Sequence, residues 1–286
     1  MPQCVFLDRD NTIITNDGDL GDPERVILIA GAAWGIRALR EAGYMVVVVS
    51  NQGGVARGHY DESDVVRVHA RIDALLAEAA QWKDPSPLIC EWMFCPFHPE
   101  GTISAYRQEH PWRKPAPGML LDAAKRRAID LSASWMVGDQ ERDIDAGRAA
   151  GCKTIRLAPR LHDRTNVRAS SQADFIESDL VHAAHRIVHV DGRDGSPMWA
   201  QTHAARINAE GDRLAEVRTR DAVRETALSL SAHSGVRLAD ISVDESGVAF
   251  EVIGDEIVAL GFAAELRRAT NLWAASHGIA PLWVSG

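Results

Sequence analysis

Two kinds of segment alternate along the chain. Short β-branched apolar runs stop abruptly at polar residues, and longer stretches with helical spacing lie between them. Val5–Leu7 stops at Asp8, Met45–Val49 at Ser50, and Trp135–Val137 at Gly138-Asp139. Leu88–Phe94, Lys153–Leu157 and a last short run, Ala173–Ile176, complete the set. Runs this short predict buried parallel strands. Helices are predicted over residues 32–42, closed by Gly43, and over 61–82, where Val65, Val68, Ile72, Leu75, Leu76 and Ala79 have helical spacing. Further helices are predicted over 118–127, up to Ala150, and up to about Val190. Residues 11–28, 95–117 and 158–173 read as loops. Strand and helix alternate, so residues 1–190 are expected to be of the α/β class: a Rossmann-like, mainly parallel sheet flanked by helices.

The pattern changes at Asp191-Gly192-Arg193-Asp194-Gly195-Ser196-Pro197, which reads as a linker over 191–197. Residues 198–286 are expected to form a small α+β C-terminal domain of unknown role. In it, 198–232 predicts one long amphipathic helical stretch broken at Gly211. Val236–Val243 and Val248–Ile253 predict a hairpin, and 257–276 a closing helix. Leu260, Phe262, Leu266, Leu272 and Trp273 are its expected core.

Composition narrows the class. A length of 286 residues suggests about two domains at ~150 residues each. There are 31 Lys+Arg against 40 Asp+Glu, a formal charge of −9, so a phosphate backbone is repelled globally and no nucleic-acid partner is expected. Four cysteines do not make a disulfide scaffold. No apolar run approaches the ~20 residues of a membrane helix, and the N-terminal residues lead straight into a strand, leaving no room for a signal peptide. The expectation is a cytoplasmic protein with no membrane partner.

The polar residues cluster where strands end, which is where open α/β sheets bind ligands. Asp8-Arg9-Asp10-Asn11-Thr12 follows the first strand, and its two carboxylates can converge on one cation and one substrate. Alone, such a D-x-D-x-T arises by chance roughly once in twenty chains of this length. Ser50-Asn51-Gln52 follows the second strand, Lys114 precedes a helix, and Gly138-Asp139-x-x-x-Asp143 follows the fourth strand. Each has an ordinary reading as a turn, a solvated charge or a helix cap. All four together, in this order and context, are hard to obtain by chance.

These motifs resemble the haloacid dehalogenase superfamily of aspartate-nucleophile phosphatases over about residues 3–190. Ser50-Asn51-Gln52-Gly53-Gly54-Val55-Ala56-Arg57-Gly58 and Arg113-Lys114-Pro115-x-Pro117-Gly118 resemble its D-glycero-D-manno-heptose 1,7-bisphosphate and histidinol-phosphate phosphatase group. The resemblance implies that Asp8 attacks phosphorus and Asp10 serves as acid and base. It implies that Thr12, Ser50 and Lys114 hold the phosphoryl group and that Asn51, Arg57 and Arg113 contact the rest of the substrate. Mg²⁺ is expected on Asp8, Asp139 and the Asp10 carbonyl, with Asp143 behind them. Crowding among Asp8, Asp139 and Asp143 is expected to favour the acid form of Asp10 at rest. The short intervals between motifs imply a capless enzyme whose loop 95–117 does much of the enclosing.

That loop departs from the group's zinc pattern, Cys-x-His…Cys-x-Cys, which reads here as Cys95, Phe97, His110 and Trp112. Cys95, His98 and His110 are a degenerate three-ligand remainder, and structural zinc wants four. The expectation is a metal-free loop packed by Phe97 and Trp112. The favoured function is a Mg²⁺-dependent phosphomonoester hydrolase acting on a small phosphosugar, a heptose bisphosphate first. Histidinol phosphate or a nucleic-acid 3′-phosphate is the alternative substrate. The rival from another class is a non-catalytic binding or scaffold protein working through its C-terminal part, and a homodimer through that part is one reading of its role.

Overall fold

The structure, a computed structural model, describes residues 1–16, 18–29, 31–158, 170–193, 202–234, 236–253 and 256–283. Most of the loop expected over 158–173 and part of the linker expected over 191–197 lie outside the described residues. The chain divides into two compact units, Met1–Arg193 and Asp194–Gly286. Among the described residues no helix is long and apolar enough to cross a membrane.

The first unit is a six-stranded sheet, parallel throughout, with helices packed on it. In chain order its elements are β1 (Cys4–Leu7), α1 (Ala32–Glu41), β2 (Met45–Asn51), α2 (Gly54–Arg57), α3 (Glu62–Ala79), β3 (Glu91–Cys95) and α4 (Gly118–Arg127). After them come β4 (Trp135–Gly138), α5 (Glu141–Ala150), β5 (Lys153–Leu157), β6 (Phe175–Glu177) and α6 (Leu180–Val190). The strand order is β3-β2-β1-β4-β5-β6. The chain therefore winds outward from β1 on one side, returns, and resumes at β4 on the other, placing a topological switch point between β1 and β4. Every residue of β1 and β4 is buried. Phe6, Val47, Val49 and Met136 join Met119, Leu120 and Ala123 of α4 and Ala146 and Ala150 of α5 in one core layer. On the other side α1 packs against α3 and α6. α3 starts where Asp61 and Asp64 form a reciprocal capping box.

The second unit contains β7 (Thr202–Asn208), α7 (Val217–Ser234), β8 (Arg237–Asp244), β9 (Gly247–Ile253) and α8 (Glu256–Ser276). Its antiparallel sheet runs β7-β9-β8. The hairpin is where the alternation predicted it. The helix predicted over 198–232 is not: residues 202–208 form an edge strand, and helix begins only at Val217. The Ala-rich local sequence favours helix, but pairing with β9 buries Ile207 beside Val248, and this tertiary gain overrides propensity. Phe262 and Leu266 are core residues as expected, with Phe250 edge-on to Phe262 at 5.1 Å. Leu260 and Leu272 are instead exposed, because they lie on the far face of α8.

Candidate active site

The switch point gathers the acids. Asp8 leaves the end of β1, and its backbone N–H donates to Val137 O of β4 (2.9 Å). Asp139 follows β4, and Asp143 lies in the first turn of α5. Carboxylate oxygens of Asp8, Asp139 and Asp143 lie within 4.8 Å of one another, the one such group among the described residues. Gly138 permits this approach, since a Cβ there would collide with the Asp143 carboxylate. Asp143 is held from its other side by the Gln140 backbone N–H, which donates to Oδ2 (3.0 Å).

Lys114 enters from the loop before α4, beside a cis Lys114–Pro115 bond, and is buried. Its Nζ lies 2.6 Å from Asp8 Oδ1 and 2.7 Å from Asp143 Oδ1, and donates to Val49 O at 2.7 Å. It is hydrogen-bonded to Asp8 and Val49 and ion-paired with Asp143, whose Oδ1 makes no hydrogen bond among the described residues. Asn51 fixes the lysine's backbone: its Nδ2 donates to Lys114 O (2.9 Å), and its Oδ1 accepts from Lys114 N–H (3.0 Å).

One ammonium is therefore shared by two of three crowded carboxylates. Burial, with Asp143 and Asp10 adding to it and Lys114 opposing, pushes Asp8 up to about 7. Burial, and then Asp143, raises Asp139 against the Gln140 hydrogen bond. Burial alone would lower Lys114, but Asp143 and Asp8 outweigh it and hold its ammonium form. A cluster of oxygen donors carrying surplus negative charge fits a hard divalent cation.

Asp10 stands apart from this cluster. Its Oδ1 accepts from Arg9 Nη2 (2.9 Å) and Asn16 Nδ2 (2.8 Å), and its Oδ2 from Gln52 Nε2 (3.0 Å) and, at 3.4 Å, Ser50 Oγ. The acids crowd Asp8, whereas Asp10 faces a guanidinium and two amides. Ser50 Oγ accepts from Gln52 Nε2 (2.7 Å), and Tyr60 Oη donates to Gln52 Oε1 (2.8 Å). Thr12 is buried, and its hydroxyl has no partner among the described residues.

A cavity of about 460 Å³ opens beside Asp10. Asn16, Asp19, Asn51, Arg57, His98, Arg113 and Arg142 are among its lining residues. Arg57 is already engaged, donating to both Asp19 oxygens (2.9 and 2.6 Å). Arg113 is half-buried and donates to Phe97 O (3.3 Å). Burial, then the neighbouring Arg142 and Arg57, lower its pKa. Arg9, Asn16, Asp19, Gln52 and Arg142 join the site beyond the residues expected from sequence. Arg9 is the middle residue of the Asp8-x-Asp10 motif and Gln52 belongs to the Ser50 motif, so position alone carried a signal. Asp19 and Arg142 carried none.

The degenerate set Cys95, His98 and His110 is not brought together. Cys95 is buried, and its thiol donates weakly toward Phe97 O (3.9 Å). His98 Nδ1 accepts from Glu100 N–H, and His110 Nδ1 from Trp112 N–H, each at 3.1 Å. Cys95, His98 and His110 do not converge on a common point.

Comparison with known proteins gives the family. Residues 111–183 match a family model described as "HAD-hyrolase-like". The D-glycero-beta-D-manno-heptose-1,7-bisphosphate 7-phosphatase of Rhodopseudomonas palustris is 43% identical over 155 residues, covering 54% of this chain and 82% of the relative. The D-glycero-D-manno-heptose-1,7-bisphosphate 7-phosphatase of Thermosynechococcus vestitus is 39% identical over 194 residues, covering 65% and 96%. Among solved structures, the D,D-heptose 1,7-bisphosphate phosphatase of B. bronchiseptica, complexed with magnesium and phosphate, superposes with a TM-score of 0.56. It is 26% identical and covers 66% of this chain and 99% of that one. A HAD-like phosphatase from Mesorhizobium loti gives 0.55 at 30% identity, covering 68% and 89%. With its motifs gathered at one switch point and these relatives matched over most of their length, this chain belongs to the haloacid dehalogenase-like phosphatases and is a phosphatase.

Proposed function

We propose that the protein is a Mg²⁺-dependent phosphomonoester hydrolase that removes the 7-phosphate of D-glycero-D-manno-heptose 1,7-bisphosphate through an aspartyl-phosphate. The observation carrying the chemistry is the convergence of Asp8, Asp139 and Asp143 around the Lys114 ammonium. The substrate rests on the names of the relatives. Asp8 and Asp139 carboxylates with the Asp10 carbonyl would hold Mg²⁺, Asp143 standing behind them. When bound, the cation offsets the negative charge of carboxylate and phosphate and so lets them approach.

An Asp8 carboxylate oxygen attacks phosphorus while the P–O bond to the sugar breaks, and Asp10 gives its proton to the leaving alkoxide. Asp10, now a carboxylate, takes a proton from water as that water attacks phosphorus. The O–P bond to Asp8 breaks, inorganic phosphate leaves, and both side chains return to their starting states. Arg9, Asn16 and Gln52 hold the Asp10 carboxyl in place through both steps. Ser50 and the buried Thr12 hydroxyl are the neutral donors near the phosphoryl group, and the arginine-lined cavity receives the rest of the substrate.

The test is phosphate release from heptose 1,7-bisphosphate, histidinol phosphate and a 3′-phosphorylated oligonucleotide. The bisphosphate should give the highest kcat/KM, with activity lost in EDTA and restored by Mg²⁺. Faster release from either rival overturns the substrate, and full activity after exhaustive chelation overturns the metal.

A further inference from the structure

The loop joining β3 to α4 is where this chain parts from the group it resembles. Phe97 and Trp112 stand at two of the four zinc positions and carry no donor for a metal. The imidazoles that remain are turned the wrong way. His98 and His110 each accept a backbone N–H at Nδ1. A neutral imidazole accepting there keeps its proton on Nε2 and has no lone pair for a cation. Zinc-bound histidines show the reverse: one nitrogen on the metal while the other donates. Structural zinc therefore does not fit these residues.

Another device occupies the place. The Phe97 ring stacks on His110 with centroids 4.4 Å apart and planes 20° apart. His110 meets Trp112 edge-on at 6.1 Å, and Phe97 also contacts Tyr106 at 5.7 Å. Phe97 and Trp112 both pack on the core layer beneath α4. The stack thus joins the two ends of the loop, as a shared metal would. It also fixes one functional atom, since the Phe97 carbonyl accepts from Arg113 Nη1 at the rim of the substrate cavity.

We propose that this aromatic stack staples the loop in place of zinc, and that Phe97 and His110 act as positioning residues for Arg113. The staple stands by itself; only what Arg113 binds rests on the proposed function. Stacking and burial hold the loop without a cation, so its order does not depend on metal supply.

Two measurements test this. In the first, the full chain is produced in zinc-supplemented medium, dialysed, and analysed for metal. Fewer than about one zinc per ten chains is expected, and a zinc-selective chelator should leave Tm unchanged. One zinc retained per chain, or a Tm lowered by the chelator, overturns the proposal. The second measures KM and kcat separately on the sugar bisphosphate. Phe97→Leu keeps apolar bulk but loses the stacking face. It should raise KM about 10-fold, the effect of misplacing one charge-assisted hydrogen bond, with a smaller change in kcat. Phe97→Tyr keeps the stack and should restore KM. A Phe97→Leu variant with wild-type KM overturns the positioning role. If the bisphosphate is not turned over at all, the proposed function fails, while the zinc count still decides the staple.

Discussion

Asp8 and Asp10 are two residues apart and sit in opposite surroundings. Asp8 shares a buried lysine with Asp143, whereas Asp10 accepts from Arg9, Asn16 and Gln52. Asp8→Asn should abolish turnover with the fold intact by circular dichroism, because an amide cannot become a phosphoenzyme. Asp10→Asn should slow the cycle by about 10²–10⁴-fold, the usual worth of a general acid–base. Wild-type phosphate release by Asp8→Asn would exclude the nucleophile. Away from the reacting atoms, His69 is buried, stacks on Trp92 at 4.3 Å, and is pushed by burial, with Arg9 adding, down to about 3. Its sign follows from linkage: below pH ~6.5 the unfolded chain binds a proton here that the folded chain refuses, so stability falls with pH until about 3. Asp73, pushed up to about 6 mainly by burial, works in the opposite direction but is present in both proteins compared. His69→Phe should therefore gain on wild type by about 1.4 kcal/mol per pH unit between pH 6 and 4 in urea titrations. Equal slopes would show that His69 protonates in the folded state. Asp8 and Asp10, the proposed nucleophile and acid, were legible because they lie in one short motif. The residues holding Asp10 were less so, since nothing in a linear pattern says that Asn16 folds back onto it.

At the scale of elements, the site depends on how closely α5 approaches β4. Gly138→Ala should force Asp143 away from both Gln140 N–H and Lys114. The expected cost is about 1–3 kcal/mol of overpacking, with kcat lowered at least about 10-fold. Unchanged Tm and kcat would mean that the strand end yields without disturbing the acids. Gly138 was visible in the sequence as part of the Gly138-Asp139-x-x-x-Asp143 motif, though its steric reason was not. Buried parallel strands are easy to read because both faces are apolar and polar residues mark their ends, as at Leu7-Asp8, although β2 runs on through Ser50 and Asn51. Thr202–Asn208 is hard for the converse reason. An edge strand made largely of small and polar residues has no periodic signature, and its identity comes from the partner β9, forty residues on in the chain.

For the whole molecule, the question is where the phosphatase unit ends. Gly192 and Pro197 suggested a linker beginning at 191, yet Asp191 is fastened to the sheet. It accepts from Tyr44 Oη (2.7 Å), Trp135 Nε1 (2.9 Å) and Lys153 Nζ (2.6 Å). Burial opposes its ionisation, but Lys153, Tyr44 and Trp135 outweigh that and hold the carboxyl below its usual range. Arg193 donates to Ala42 O (2.7 Å) and lies over the Tyr44 ring at 4.4 Å. A chain cut at 190 keeps every motif residue but strands the indole N–H of fully buried Trp135. Stranding that donor alone costs about 1–3 kcal/mol, which in a unit of this size lowers Tm by roughly 2–10 °C. The fragment 1–193 should melt cooperatively and release phosphate from a small aryl phosphate, and 1–190 should do the same chemistry at a lower Tm. Equal melting of the two would remove Asp191 from the unit and restore the boundary at 190. An insoluble or inactive 1–193 would mean that the phosphatase unit needs the residues beyond Arg193 to fold.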